Sequence, residues 1–423
     1  MVREGYKQTE VGVLPEDWNV ISMGSFSKTE GGYAFKSTKF LLSGKYQVIK
    51  MSNLYGGNLD LLRSRSFLNE LDKLEEAYLL CENDILITLT GTVGKQDYGY
   101  TTIIKNESNL LLNQRVGRIM VGEIVDASYL FYQTKSPAFN SQFFELSKGG
   151  TGNQTNVGTK DIDSVCIPFP PTKAEQKAIA EALSDVDGLI DGLEKLIAKK
   201  RDMKTATMQQ LLTGKTRLPG FGGEWTEISM DGDAILKARI GWQALTTEEY
   251  LDSGNYFLVT GTDFINGRIR WSSCHYVDEW RYSQDKNIQL RNSDVLLTKD
   301  GTIGKVGYVD HMTGPATLNS GVFVIRPIDN SFDPLFLYYI LSSRLFDEFL
   351  GKITAGSTIT HLYQKDFLTF RFAAPLLIEQ IAIAQMLYDM DRDIESVQAH
   401  LDKTKTIKQG MMQELLTGNT RLI

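Results

Sequence analysis

Apolar residues in 172–213 recur at alternating steps of four and three: Ile179, Leu183, Val186, Ile190, Leu193 and Ile197. Residues 376–417 step identically through Ile383, Leu387, Met390, Ile394, Val397 and Leu401. A spacing averaging about 3.5 marks a coiled-coil seam. The seam weakens at Lys200 and Lys204, and in the second stretch at Thr404 and Lys408, before Leu211 and Leu415 restore it. Thr172 and Glu175, behind Pro170-Pro171, fit a capping box, with hydroxyl and carboxylate each taking an orphan N–H. Gly214 follows as a left-handed stop. Residues 1–171 and 214–375 follow another pattern, mixed and richer in strand than in helix. Short β-prone runs at 84–89 and 294–298 lead into Gly91-Thr92-Val93-Gly94-Lys95 and Gly301-Thr302-Ile303-Gly304-Lys305. That predicts strand, glycine turn and strand. Short helices are expected near 129–133 and 335–343.

The chain is internally duplicated. Residues 171–218 and 375–422 align without a gap, and 21 of 48 positions are identical, too many for chance. The two glycine turns, and Trp18 with Trp225, recur in the same order at nearly the same offset. Such a period is too long for a solenoid repeat. It predicts an α+β chain with pseudo-twofold organisation. Residues 1–171 form one globular domain and 172–213 one helix. Residues 214–375 form a second domain, 376–417 a second helix and 418–423 a tail. Two equally long heptad helices are expected to pair with each other, antiparallel under that symmetry. The plainer alternative packs each helix on its own domain. Leu189 and Leu196 point away from the seam, so they either serve a partner or broaden the buried stripe.

Composition narrows the function. The 423 residues hold 45 Lys+Arg against 52 Asp+Glu, a formal charge of −7, so this is no simple basic nucleic-acid binder. Residues 1–171 carry −2 and residues 214–375 carry −3, so neither domain is polybasic. No apolar run is long enough for a membrane span. The first residues lack a signal-peptide core, and Cys81, Cys166 and Cys274 are far apart. A cytoplasmic protein without disulfides is expected. The four histidines are scattered, and no metal-ligand pattern, nucleophile elbow or dinucleotide loop appears. Phe169-Pro170-Pro171-Thr172 is similar to the Pro-Pro motif of amino-methyltransferases, but both flanking residues are wrong. The Gly-x-x-Gly-Lys turns lack P-loop spacing. No catalytic residue and no metal site is therefore assigned.

Polar loops remain as candidates. Asn and Gln can bond adenine edges, and Arg or Lys guanine edges or phosphates. In the first half the candidates are Lys36, Lys39, Thr92, Lys95, Gln114, Arg115, Asn153 and Gln154. In the second they are Arg239, Gln243, Thr302, Lys305, Ser357, Thr360 and His361. For each, a plain hairpin or flexible polar loop is the alternative reading.

The duplicated arrangement resembles a known family. Leu-Leu-Thr-Gly-x-Thr-Arg-Leu closes each helix at 211–218 and 415–422. Pro171 with Glu175-Gln176, and Pro375 with Glu379-Gln380, open them. With Trp18, Trp225 and Asn113-Gln114-Arg115, these motifs resemble the specificity subunits of type I restriction-modification enzymes, over essentially the whole chain. Leu318-Asn319-Ser320-Gly321 departs from that pattern. The resemblance implies two target recognition domains, each reading half of a split double-stranded DNA site. It implies an antiparallel coiled coil that docks two modification (methyltransferase) subunits and, where present, restriction/translocase subunits. S-adenosylmethionine, ATP and Mg would sit on those partners, and this chain would bind no cofactor and catalyse nothing. Alternatives are a specificity subunit of another restriction-modification class, an orphan one, a methyltransferase or nuclease with an unrecognised site, or a coiled-coil scaffold.

Overall fold

A computed structural model describes residues 3–149, 153–240, 245–354 and 361–422. The chain divides into two compact units, Met1–Glu194 with His400–Ile423, and Lys195–Ala399. Each unit thus holds one globular part, the near portion of one long helix and the far portion of the other.

In the first unit a four-stranded antiparallel sheet is ordered Ser27–Gly31, Val116–Val121, Ile85–Thr88, Thr101–Ile103. The two central strands, Val116–Val121 and Ile85–Thr88, are Val- and Ile-rich and largely buried, whereas the edge strand Ser27–Gly31 is polar. Three further strands, Leu110–Leu112, Tyr46–Ile49 and Phe67–Leu68, form a second sheet whose first pair is parallel. The helices Ala127–Gln133 and Pro137–Glu145 cover the main sheet with Tyr129, Leu130, Phe139 and Phe143, all fully buried. Asp126 and Ser136 cap them by accepting from the N–H groups of Tyr129 and Phe139.

The second unit repeats this plan. Ala234–Ala238, Val322–Pro327, Val295–Thr298 and Val306–Tyr308 form the matching antiparallel core of a six-stranded sheet. Here the glycine turn joins two directly paired strands, as expected. In the first unit the chain after Thr88 instead makes the extra strand Thr90–Thr92, and the next core strand begins only at Thr101. The helix Pro334–Leu341 covers the sheet and is capped by Asp333.

The long helices run Lys173–Leu211 and Leu377–Leu415. In the first unit Lys405 meets Glu194 at 2.7 Å and Lys408 meets Asp187 at 2.5 Å. In the second, Lys200 pairs with Asp393, and Lys204 meets Asp391 at 2.5 Å. Numbers that rise on one helix as they fall on the other define an antiparallel pair. Ile179, Leu183, Leu193, Ile197, Ile383, Leu387 and Leu401 are buried; Val186, Ile190, Met390, Ile394 and Val397 are half-buried. The lysines that weaken the sequence seam are thus filled by cross-helix ion pairs. Leu189 and Leu196 are exposed, so they do not broaden the buried stripe. Among the described residues no helix is long and apolar enough to cross a membrane.

Candidate nucleic-acid interface

The motifs shared by the two halves build a joint within each unit rather than an exposed surface. After the first helix Gly214 takes φ +67°, and after the second Gly418 takes +69°. A Cβ on Gly214 would lie 3.2 Å from Trp225, and one on Gly418 2.7 Å from Pro15 and 3.1 Å from Trp18. Both positions therefore need glycine for φ and for space. Beyond the turn, Arg421 forks onto Glu175 and reaches Asp17 at 3.0 Å, with its guanidinium 5.8 Å from the Trp18 ring. Arg217 does the same with Glu379 and Trp225. Both glutamates are 1% exposed. The capping box is thus only half made. Thr172 Oγ1 accepts from the Glu175 N–H at 3.2 Å, but the carboxylate is drawn off by arginine. The neighbouring glutamines dock the sheet-covering helices. Gln176 Oε1 accepts from the Asp126 N–H at 2.8 Å, and Gln380 Oε1 from the Asp333 N–H at 2.9 Å.

The first-half candidates come together elsewhere, where the two central strands of the main sheet end at Thr88 and begin at Val116. Gln154 pairs with Thr92 across a small antiparallel sheet, and the Asn153 carbonyl accepts from the Val93 N–H at 3.2 Å. Asp97 fixes this turn, accepting from the Thr92 N–H at 2.8 Å and its hydroxyl at 2.7 Å. Those two bonds hold the Asp97 carboxyl below its usual range. Lys95, Asn153 and Gln154 are left exposed around it. The Arg115 carbonyl accepts from the Leu89 N–H at 3.1 Å, which places Gln114-Arg115 beside the same turn, both exposed. Gln114 in turn donates its N–H to the Tyr33 carbonyl at 3.0 Å. That anchors the loop carrying Lys36 and Lys39, both exposed, although Lys39 also meets Glu75 at 3.2 Å. A Cβ on Gly32 would lie 2.2 Å from the Asn113 carbonyl oxygen, so the loop can approach only through glycine.

The second unit uses the same scaffold with different side chains. Thr90 Oγ1 bonds Asn156 Oδ1 at 2.5 Å; at the corresponding places Asp300 pairs with His361. The Gly321 carbonyl accepts from the Lys299 N–H at 2.9 Å, as Arg115 does from Leu89, but glycine offers no side chain there. Thr302 is exposed. Lys305 turns inward, donating to the Gly261 carbonyl at 3.0 Å, so it differs from the exposed Lys95. Arg239 is a correction to the sequence reading: it is 2% exposed and donates to Leu318 O at 2.9 Å and Thr317 Oγ1 at 3.2 Å. Burial lowers its pKa, and its fork is spent inside the domain, where it holds a strand end. Gln243, Ser357 and Thr360 lie outside the described residues. Lys237 and Lys299, not singled out in the sequence, line a 460 Å³ cleft with Arg239, His361 and Gln364. Counting from the repeat would have found Lys299, because it follows the core strand as Leu89 does. Among the described residues no group of His, Cys, Asp and Glu is arranged to hold a metal ion.

The structure is thus a duplicated domain-and-helix chain with a polar loop cluster in each unit. The family model described as "Type I restriction modification DNA specificity domain" matches residues 15–200 and 236–404. The chain therefore belongs to the type I restriction-modification specificity subunits, the non-catalytic DNA-recognition members of those systems. It is 26% identical to the MjaVIII specificity subunit of Methanocaldococcus jannaschii, covering 99% of this chain and 96% of that one. It is 22% identical to the EcoBI specificity subunit of Escherichia coli, covering 95% and 85%. The fold matches a crystal structure of the S subunit of a type I system from M. genitalium, with TM-score 0.62, 17% identity and coverage of 94% and 96%.

Proposed function

We propose that each unit reads one half of an asymmetric, bipartite double-stranded DNA site and leaves the bases between untouched. The observation that carries this reading is the pair of equivalent loop edges, built on one scaffold but bearing different groups. Arg115 faces Gly321 in the alignment of the halves, and the Thr90–Asn156 pair faces Asp300–His361. Different donor and acceptor sets select different bases. In the first unit Asn153, Gln154 and Arg115 supply base-edge contacts, while Lys36, Lys39 and Lys95 supply phosphate contacts. In the second, Thr302, His361 and Lys299 take those parts.

The paired helices dock two modification (methyltransferase) subunits and, where present, restriction/translocase subunits. Exposed Leu189 and Leu196 on the first helix support that role. S-adenosylmethionine, ATP and Mg belong to those partners. The test is a map of methylated bases in cells whose complex carries Arg115→Ala with Gln154→Ala. The expected outcome is degeneracy at one half-site, with a loss of about 1–3 kcal/mol of discrimination per contact, and an unchanged other half-site. Equal change in both halves, or in neither, would sink the reading.

A further inference from the structure

Each unit contains the same three-residue node, and nothing in the base-reading edges uses it. In the first unit the Tyr132 hydroxyl donates to Asp187 Oδ2 at 2.8 Å, and Lys408 Nζ meets Asp187 Oδ1 at 2.5 Å. Lys408 also lies 5.9 Å from the centre of the Tyr132 ring. In the second, Tyr339 donates to Asp391 Oδ2 at 2.8 Å, Lys204 meets Asp391 Oδ1 at 2.5 Å and lies 5.4 Å from the Tyr339 ring. The tyrosine comes from the helix that covers the recognition sheet. The aspartate is on the long helix that follows that domain, and the lysine is on the opposing long helix.

We infer that these two nodes are positioning devices that set the tolerated distance between the half-sites. The inference rests on the bipartite reading above. The physical argument starts from the seam. Apolar heptads let paired helices slip by whole repeats at little cost, and a polar seam residue with one partner specifies the register. Lys204 and Lys408 occupy such seam positions and are about one-fifth exposed, so each needs its carboxylate. The other oxygen of that carboxylate is taken by a tyrosine that is itself buried, and its hydroxyl also needs a partner. A single carboxylate therefore locks two things at once: the register of the helix pair and the seat of the recognition domain upon it. Slippage or tilt breaks both bonds together. Apolar packing alone would keep the unit folded but leave the seat adjustable. Finding the complete node twice, with all three residue types retained while the base-reading edges diverged, is what a shared geometric task requires.

The test uses the assembled methyltransferase complex on duplexes whose half-sites are separated by the native spacer, or by one base pair more or fewer. The wild-type complex is expected to prefer one spacer strongly. Lys204→Met with Lys408→Met removes the cross-helix ion pairs and leaves Asp391 and Asp187, 21% and 36% exposed, with only their tyrosines, so the melting temperature should fall while the complex still assembles. Its preference for the native spacer should fall about tenfold, the effect of losing a charge-assisted bond, with the same half-site bases methylated. Tyr132→Phe with Tyr339→Phe removes only the hydroxyl bonds and should give a smaller fall. Lys204→Arg with Lys408→Arg should keep the preference. An unchanged spacer profile in both the Met and Phe variants overturns the inference. A wild-type complex without spacer preference would instead overturn the bipartite reading.

Discussion

Lys135 shows how a single side chain sets a local pH response. Its ammonium sits 4.2 Å from the centre of the Phe131 ring and bonds the Gly57 carbonyl, at 3.3 Å. Burial, reinforced by Lys408, pushes its pKa down to about 8 from 10.5. The folded state therefore disfavours the charged form. Below pH 8 that cost is present in full; between about 8 and 10.5 the unfolded chain holds a proton that the folded one has released, so stability rises with pH. Lys135→Met should accordingly be more stable than wild type at pH 7, by up to about 3 kcal/mol. The gain should fade as pH climbs through that window. Denaturant titrations at pH 7 and 10 check this; a constant difference would show that the lysine does not titrate there. The sequence gives no sign of such a site, because Lys135 becomes buried only where the Gly56-Gly57 turn closes over it. Arg239 was misleading for the same reason: loop position says nothing of which way a long side chain folds.

At the scale of elements, the best-repeated motifs form the joints that close each unit. The helix-ending glycine, the arginine beyond it, the tryptophan and the glutamate at the start of the other long helix meet in one place. Arg421→Met would strand Glu175, a buried carboxylate, and should cost about 2–3 kcal/mol. Adding Glu175→Gln should recover part of that loss, as read by thermal melting of the first unit. Equal stability of wild type and Arg421→Met would show that the ion pair contributes nothing. The helices were legible in the sequence because a heptad pattern and a glycine stop are local signals. The domain interiors were less so. Their strands are two to six residues long, and partners such as Leu110–Leu112 and Tyr46–Ile49 pair in parallel across some sixty residues. Thr92 and Gln154 could be nominated singly from their types, yet only the fold makes them cross-strand neighbours.

For the whole molecule, the charge of −7 becomes a statement about assembly. Phosphate neutralisation supplies much of DNA affinity and makes it steeply salt-dependent. The exposed cations of the first edge are few, and in the second Lys305 is turned inward while Lys299 lies 3.2 Å from Asp300. The isolated chain should therefore bind its own site weakly and with a shallow salt slope, equivalent to about four phosphate contacts. The full complex should be steeper. Fluorescence anisotropy across a salt series would measure both, and tight, salt-steep binding by the chain alone would contradict this division of labour. The duplication itself was readable from the sequence. The charge was readable too, but its meaning depended on knowing which cations face outward.

The first unit finishes its core with Leu415 and Leu416, both buried, and seals it when Tyr6 donates its hydroxyl to the Gly418 carbonyl at 3.1 Å. Those residues leave the ribosome only after the whole of Lys195–Ala399. The domain translated first is therefore the last to be completed, while Lys195–Ala399 already has its own parts in hand. During synthesis the nascent first domain exposes the apolar groove that this terminal helix will fill. A ribosome stalled before codon 400 would hold one finished unit and one open one. Residues 400–423 therefore tie closure of the first recognition unit to prior synthesis of the second.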